Sequence, residues 1–285
     1  MGTTWSLQLV GPPADLQANV QEHLDQLEAA FSHWKPDSPV SRFNESRSTD
    51  WFPVPEQVVD AVRAAKRISD DTNGVLDITI APLIDLWGFG SREADFKPQV
   101  PSAEVIAEAK SRCGWAHLEW RANPPALKKK DADLRINLAA VAEGLAIDEV
   151  TSALRGAAIN NFVLEIGGEV MAAGLSPDGK LWQVGVQVPG APPDQTMQTL
   201  PLRGHSISTS GNYRQRFEVG GKTYSHIIDP RTGAPTQHKL ASVSVIHEKA
   251  VLADGYATAL MVLGPVDGPA EAKRLGLRAF FVEEE

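Results

Sequence analysis

A single cysteine, Cys113, stands in this chain of 285 residues. An intrachain disulfide and any multi-cysteine zinc or iron–sulfur site are therefore excluded. Lack of disulfides is usual in the cytosol and does not exclude the periplasm. The chain also lacks the run of roughly 18 apolar residues that a membrane span needs, so none is expected. Basic charge is not in excess: Lys and Arg total 27 against 36 Asp and Glu, a formal net charge of -9. Duplex-binding surfaces are basic, so nucleic acid is not an expected partner. An acidic chain that holds phosphates would use backbone N–H groups and a metal cation. No G-x-G-x-x-G or P-loop occurs, which removes the Rossmann and Walker phosphate cradles. The opening Met1-Gly2-Thr3-Thr4-Trp5 shows no signal-peptide pattern and runs straight into a strand-like stretch.

What is present reads as an α+β fold, and the length suffices for one large domain or two lobes sharing a site. Residues 5–10 alternate like a strand. In 14–34, Leu16, Val20, Leu24, Leu27, Phe31 and Trp34 recur at three- and four-residue steps, one helical stripe. The proline- and serine-rich stretch 36–53 reads as loop. Helices are expected over 55–73, from 102 to 114, over 140–155 and over 248–263. Strands are expected at 134–138, 162–166, 182–188, 214–219, 223–228, 243–246 and 278–282, separated by turn signals such as Gly220-Gly221-Lys222. Residues 189–195 read as an exposed loop.

Several short stretches could carry chemistry. Asp254 and Thr258 are four apart in an expected helix, so their oxygens share a face. A carboxylate and a hydroxyl are hard ligands that suit Mg²⁺ or Ca²⁺, or they hydrogen-bond locally. Ser208-Thr209-Ser210-Gly211 reads as a hydroxyl-rich loop that offers groups to phosphate oxygens, or as a plain β-turn. His226 closes a strand and suits a general base or a phosphate ligand, while Asp229 suits a turn former. Gly167-Gly168 ends an apolar strand and permits close backbone approach. Trp34 either completes a core-facing stripe or stacks on a purine or flavin ring. His23, His33, His117, His205, His238 and His247 show no metal-ligand spacing.

Taken in order, seven stretches carry a resemblance. They are Ser41-Arg42-Phe43-Asn44; Gly74 to Thr79 with Pro82-Leu83 and Leu86 to Gly90; Asn137-Leu138 leading to Ala142-Glu143-Gly144; Ile166-Gly167-Gly168; Ser208 to Gly211; His226 to Gly233; and Ala253-Asp254 to Thr258. The chain resembles the FAD:protein FMN transferases, the ApbE or thiamine biosynthesis lipoprotein family, nearly end to end. The resemblance implies a single domain over 1–285 with an FAD cleft between two intertwined lobes, one T-fold-like with antiparallel strands and helices. It implies Mg²⁺ held by Asp254, Thr258 and the carbonyl of Ala140. It implies FAD contacts from Met1, Trp34, Val75, Leu76, Asp77, Asn137, Glu143 and Ile228, with His226 and Asp254 in the catalytic roles. Asn137 departs from the family's usual Asp, Glu143 stands where many members have Lys, and Ala257 replaces an aspartate found in some. The implied reaction moves FMN from FAD to a Ser or Thr hydroxyl of a target protein, an electron-transfer flavoprotein subunit, and releases AMP. An FAD pyrophosphatase and a non-catalytic flavin-binding protein share the same site. The family also implies a periplasmic location and a lipid anchor to the inner membrane in the full-length form.

Overall fold

A computed structural model of the chain describes residues 3–9, 11, 13, 15–90, 97–192 and 195–284. Met1, an expected flavin contact, and Pro193 and Asp194 of the expected 189–195 loop lie outside the described residues. Seven helices are described: α1 (Leu16–Phe31), α2 (Pro39–Glu45), α3 (Glu56–Asp71), α4 (Ala81–Leu86), α5 (Ala103–Ser111), α6 (Ala139–Gly156) and α7 (Ala250–Leu275). Six strands form one antiparallel sheet in the order Trp5–Leu9, Phe162–Ile166, Glu169–Ala173, His205–Gly211, Leu240–His247, Arg278–Glu283. The α+β expectation therefore holds.

The layers follow from which faces are apolar. On one face of the sheet lie α6 and α7, with α3 packed against both. The paired strands Trp182–Gln187 and Thr196–Leu202 cover the other face, where Trp182, Val184, Val186 and Leu202 pack on Ala172, Ile207 and Ile246. Helix α7 is apolar nearly all round because it is a core helix. Among the described residues it is the one helix long and apolar enough to cross a bilayer, and 72% of its most apolar stretch is buried. Asp148 of α6 caps its start, accepting from the N–H groups of Ala250 (3.0 Å) and Val251 (3.2 Å). Two glycines let the helices approach closely. A Cβ on Gly144 would meet the Ala250 carbonyl oxygen at 2.4 Å, and one on Gly255 would meet Ile68 Cδ1 at 2.3 Å.

The structure corrects several expectations. Residues 36–53 are not all loop: Pro39 and the Ser38 side chain, which accepts from Ser41 N, start α2. Residues 134–138 form no strand. Asn44 takes the place of a partner strand, donating from Nδ2 to the Ile136 carbonyl and accepting from the Ile136 N–H, each at 2.8 Å. Ser208 to Gly211 is part of a central strand rather than a loop, paired with Ser242–Val245. The expected 223–228 strand divides into Lys222–Ser225 and Ile228–Asp229. The last helix does not stop at 263 but resumes past Gly264, whose φ of 84° breaks it, and runs on to Leu275. A hairpin, Leu118–Ala122 with Pro125–Lys129, was not anticipated; its strands are short and rich in Lys and Arg.

Candidate active site

The segments that bear the quoted motifs converge on one cleft of about 350 Å³. Every expected site residue that lies within the described residues lines it: Trp34, Val75, Leu76, Asp77, Asn137, Ala140, Glu143, His226, Ile228, Asp254 and Thr258. Sequence reasoning missed other lining residues, chiefly His33, Phe89, Glu169 and Arg214. Thr209, Ser210 and Gly211 of the hydroxyl-rich stretch also line the cleft. For Glu169 and Arg214 the signal was weak: each directly follows a quoted motif or lies three residues beyond one.

One wall is built by α6, α7 and the strand His205–Gly211. Asp254 and Thr258 stand one turn apart on α7, as the four-residue spacing requires. Asp254 is 5% exposed and its Oδ2 accepts from the Gly144 N–H at 3.1 Å. In an α-helix that N–H belongs with the carbonyl of residue 140. The Asp254 carboxylate and Ala140 are thus neighbours at the start of α6. Thr258 Oγ1 lies 2.9 Å from Ser210 Oγ. Ser208, two residues earlier on the strand and so on the same face, donates to Glu169 Oε2 at 3.0 Å. Burial and the proximity of Glu169 and Glu143 push the Asp254 carboxyl well above the usual carboxylate range. Glu169 is raised for the same reasons, burial first and Glu143 next. The wall therefore gathers, beside oxygen donors, buried carboxyl groups that resist ionising without a cation. Among the described residues no cluster of three His, Cys, Asp or Glu has metal-binding geometry. A cation here would have a mixed set of one carboxylate, a hydroxyl and a carbonyl.

His226 also lines the cleft. Its Nδ1 lies 3.3 Å from the Gln215 carbonyl, which can only accept, so Nδ1 donates and Nε2 keeps the lone pair. Burial lowers the pKa of the ring, a nearby Arg214 adds to this, and the hydrogen bond opposes it. His226 is therefore neutral near pH 7. Its ring meets Phe89 edge-on with centroids 6.3 Å apart, and Phe89 stacks on Phe217. Asp229 takes the turn-forming reading: it accepts from Arg231 N at 2.8 Å and pairs with the Arg231 guanidinium. Trp87 Nε1 donates to the Gly233 carbonyl at 2.9 Å, fastening two of the quoted motifs together.

At the mouth, Trp34 is 57% exposed, which overturns its core-packing reading. The helical stripe ends at Phe31, and the Ser32 hydroxyl accepts from the N–H groups of Trp34 and Lys35, turning the chain outward. His33 packs against the indole with centroids 5.0 Å apart. Across the floor, Asp77 accepts from Thr79 N (2.8 Å) and Thr79 Oγ1 (2.6 Å), and burial raises its pKa. Asn137 donates its N–H to the Ile78 carbonyl at 2.7 Å, and its Oδ1 accepts from Ala139 N at 2.8 Å.

Comparison with known proteins agrees in extent with the motif series. A family model described as the ApbE family matches residues 1–281. A FAD:protein FMN transferase of Klebsiella pneumoniae (strain 342) is 39% identical over 292 aligned residues, which cover 100% of this chain and 83% of the relative. One from Escherichia coli (strain K12) is 36% identical over 291, covering 100% and 82%. Among solved structures, the flavin transferase ApbE from Vibrio cholerae superposes with a TM-score of 0.88 at 34% identity, covering 100% of this chain and 91% of that one. The Pseudomonas stutzeri flavinyl transferase ApbE, in its apo form, gives 0.89 at 38% identity, covering 100% and 89%.

Proposed function

The chain belongs to the ApbE family and is a flavin transferase that moves FMN from FAD to a target protein, and we propose that it does so with Mg²⁺ and a Ser or Thr hydroxyl of that target. The observation that carries the proposal is the meeting of two kinds of group in one cleft. Asp254, Thr258 and Ala140 supply hard oxygen donors, and neutral His226 lines the same cleft. Mg²⁺ binds through one or two carboxylates plus substrate phosphates, which this sparse donor set matches. The surplus of buried carboxylate around Asp254 fits a cation better than it fits a bare anion. When bound, the ion offsets the charge of the FAD pyrophosphate.

The chain's own residues supply the rest. Trp34, Val75, Leu76 and Ile228 give the flavin dinucleotide apolar and aromatic surface. Asp77 and Asn137 place polar atoms on the cleft floor. His226, with its lone pair on Nε2, takes the proton of the attacking hydroxyl. The new oxygen–phosphorus bond forms at the FMN-side phosphorus as its bond to the bridging oxygen breaks. AMP leaves with that oxygen, and FMN stays on the target as a phosphoester. Holding the hydroxyl beside the phosphorus turns a bimolecular attack into an effectively unimolecular one and favours it over water. Family resemblance supports an electron-transfer flavoprotein subunit as target and an exported, lipid-anchored precursor acting in the periplasm.

The test is labelling of an acceptor domain with FAD and Mg²⁺, read as flavin fluorescence that survives denaturing electrophoresis. Changing the acceptor hydroxyl to Ala should remove the band. Asp254→Ala should abolish labelling and Mg²⁺ binding by calorimetry while part of the FAD affinity remains. Unchanged Mg²⁺ binding in that variant would overturn the metal assignment. Free FMN and AMP as sole products with every acceptor would make the protein a pyrophosphatase.

A further inference from the structure

The cleft has to hold a pyrophosphate although its lining is acidic. Asp77, Glu143, Glu169 and Asp254 all face it, and Arg214 is the one Lys or Arg among the described lining residues. A single divalent ion whose charge is shared with the Asp254 carboxylate leaves the charge of the phosphates only partly answered.

Arg214 lies just beyond the central strand His205–Gly211 and is exposed to the cleft. Its Nη1 donates to the Gly167 carbonyl at 3.1 Å, and among the described residues the guanidinium makes no other hydrogen bond. Four of its five N–H donors remain for a ligand. The seat is shaped for it by Gly167 and Gly168, both in the left-handed region with φ of 66° and 95°. A Cβ on Gly167 would lie 2.7 Å from Glu143 Oε2, and one on Gly168 would lie 2.9 Å from Arg214 Nη2. The two glycines thus leave space for a carboxylate and a guanidinium side by side. Arg214 acts electrostatically on Glu143, Glu169 and His226. It lines the same cleft as the proposed cation ligands and the proposed base.

We infer that Arg214 binds the non-bridging oxygens of the FMN-side phosphate of FAD, with the Gly167 carbonyl and Glu143 as its positioning partners. A planar fork of donors matches two phosphate oxygens at once, which an ammonium does not. Held there, it stabilises the charge on those oxygens as the acceptor attacks. The inference rests on the reading of the cleft as the FAD site.

The experiment compares FAD, FMN and riboflavin binding by flavin fluorescence, with a chelator present so that no turnover occurs. Arg214→Met should weaken FAD and FMN by about tenfold or more and change riboflavin by less than about twofold. Arg214→Lys should keep part of the FAD affinity yet transfer flavin slowly, because charge is retained and the fork is lost. Methylguanidine should restore labelling by Arg214→Ala. Equal weakening of all three ligands with an unchanged melting temperature would overturn the inference, as would undiminished FAD affinity in both Arg214→Met and Arg214→Lys. Ala139→Trp separates the two readings, since Ala139 is exposed on the cleft wall and an indole there fills the cleft without entering the core. If that variant binds FAD as the parent does, FAD sits elsewhere and both readings fall. If it does not while the Arg214 variants bind normally, only the role of Arg214 falls.

Discussion

The backbone N–H of Gly144 donates to Oδ2 of Asp254 at 3.1 Å, so the second turns of α6 and α7 are joined at the residue that faces the cleft. This contact exists because residue 144 has no side chain. A Cβ there would lie 2.8 Å from Asp254 Cβ and closer still to the Ala250 carbonyl. Gly144→Ala should therefore separate the two helices. The expected cost is about 1–3 kcal/mol by urea unfolding, the usual price of overpacking. Mg²⁺ affinity should fall with it, since Asp254 and Ala140 part. A variant that keeps both parent stability and parent Mg²⁺ affinity would show that the crossing has slack to spare.

His226 sets the expected pH dependence of transfer. Burial holds its pKa below the ordinary 6.5, so the neutral base persists into mildly acid solution. Labelling rate should stay flat from neutral pH downward and fall only once pH drops through that lowered pKa. His226→Ala should slow labelling more than it weakens FAD binding, as expected of a group needed mainly in the transition state. A rate that already halves above pH 6.5 with the acid limb intact in His226→Ala would assign the titration to another group.

Lys129 should leave its mark on stability rather than on activity. Its side chain is 1% exposed, donates to the carbonyls of Asn44 (3.2 Å) and Ser46 (2.7 Å), and lies over the Phe43 ring. Burial, helped by Arg135, brings its pKa down from 10.5 to about 8. Below pH 8 both folded and unfolded chains carry the proton, and the folded state bears the desolvation cost. Between about 8 and 10.5 the unfolded chain keeps a proton that the folded chain has released, so this group makes stability rise with pH. The difference in unfolding free energy between parent and Lys129→Met should therefore move in the parent's favour across that window. Parallel curves would mean that Lys129 titrates alike in both states.

Asn44 is expected to matter through the backbone it replaces. Its side-chain amide makes both hydrogen bonds of a strand partner to Ile136, next to Asn137 on the cleft floor. Asn44→Leu leaves a buried N–H and C=O unpaired, which costs about 1–3 kcal/mol per group. We expect a lower urea midpoint together with weaker FAD binding. Loss of stability with parent-like FAD affinity would show that its bonds to Ile78 and Ala139 suffice to hold Asn137 in place.

The amino-acid sequence by itself determined the periodic elements and the local geometry of the motifs. Helices α1, α3, α6 and the start of α7 were legible because their apolar residues repeat at helical spacing, and the same spacing put Asp254 and Thr258 on one face. The turn at Asp229 was legible because Asx residues bond their own backbone. Tertiary structure decided what these elements meet. The segment 134–138 has the composition of a strand, yet a side chain 92 residues away takes up its hydrogen bonds. Trp34 continues the stripe of α1, yet Ser32 turns the chain and the indole faces the cleft mouth. Glu169 and Arg214 carry no periodic signal, and each gains its character from neighbours distant in the chain: Glu143 and Asp254 for one, the Gly167 carbonyl for the other. Spacing along a chain reports on forces acting within one turn or one strand. The charge of a cleft is a sum over residues that only the packed fold brings within a few ångströms of one another.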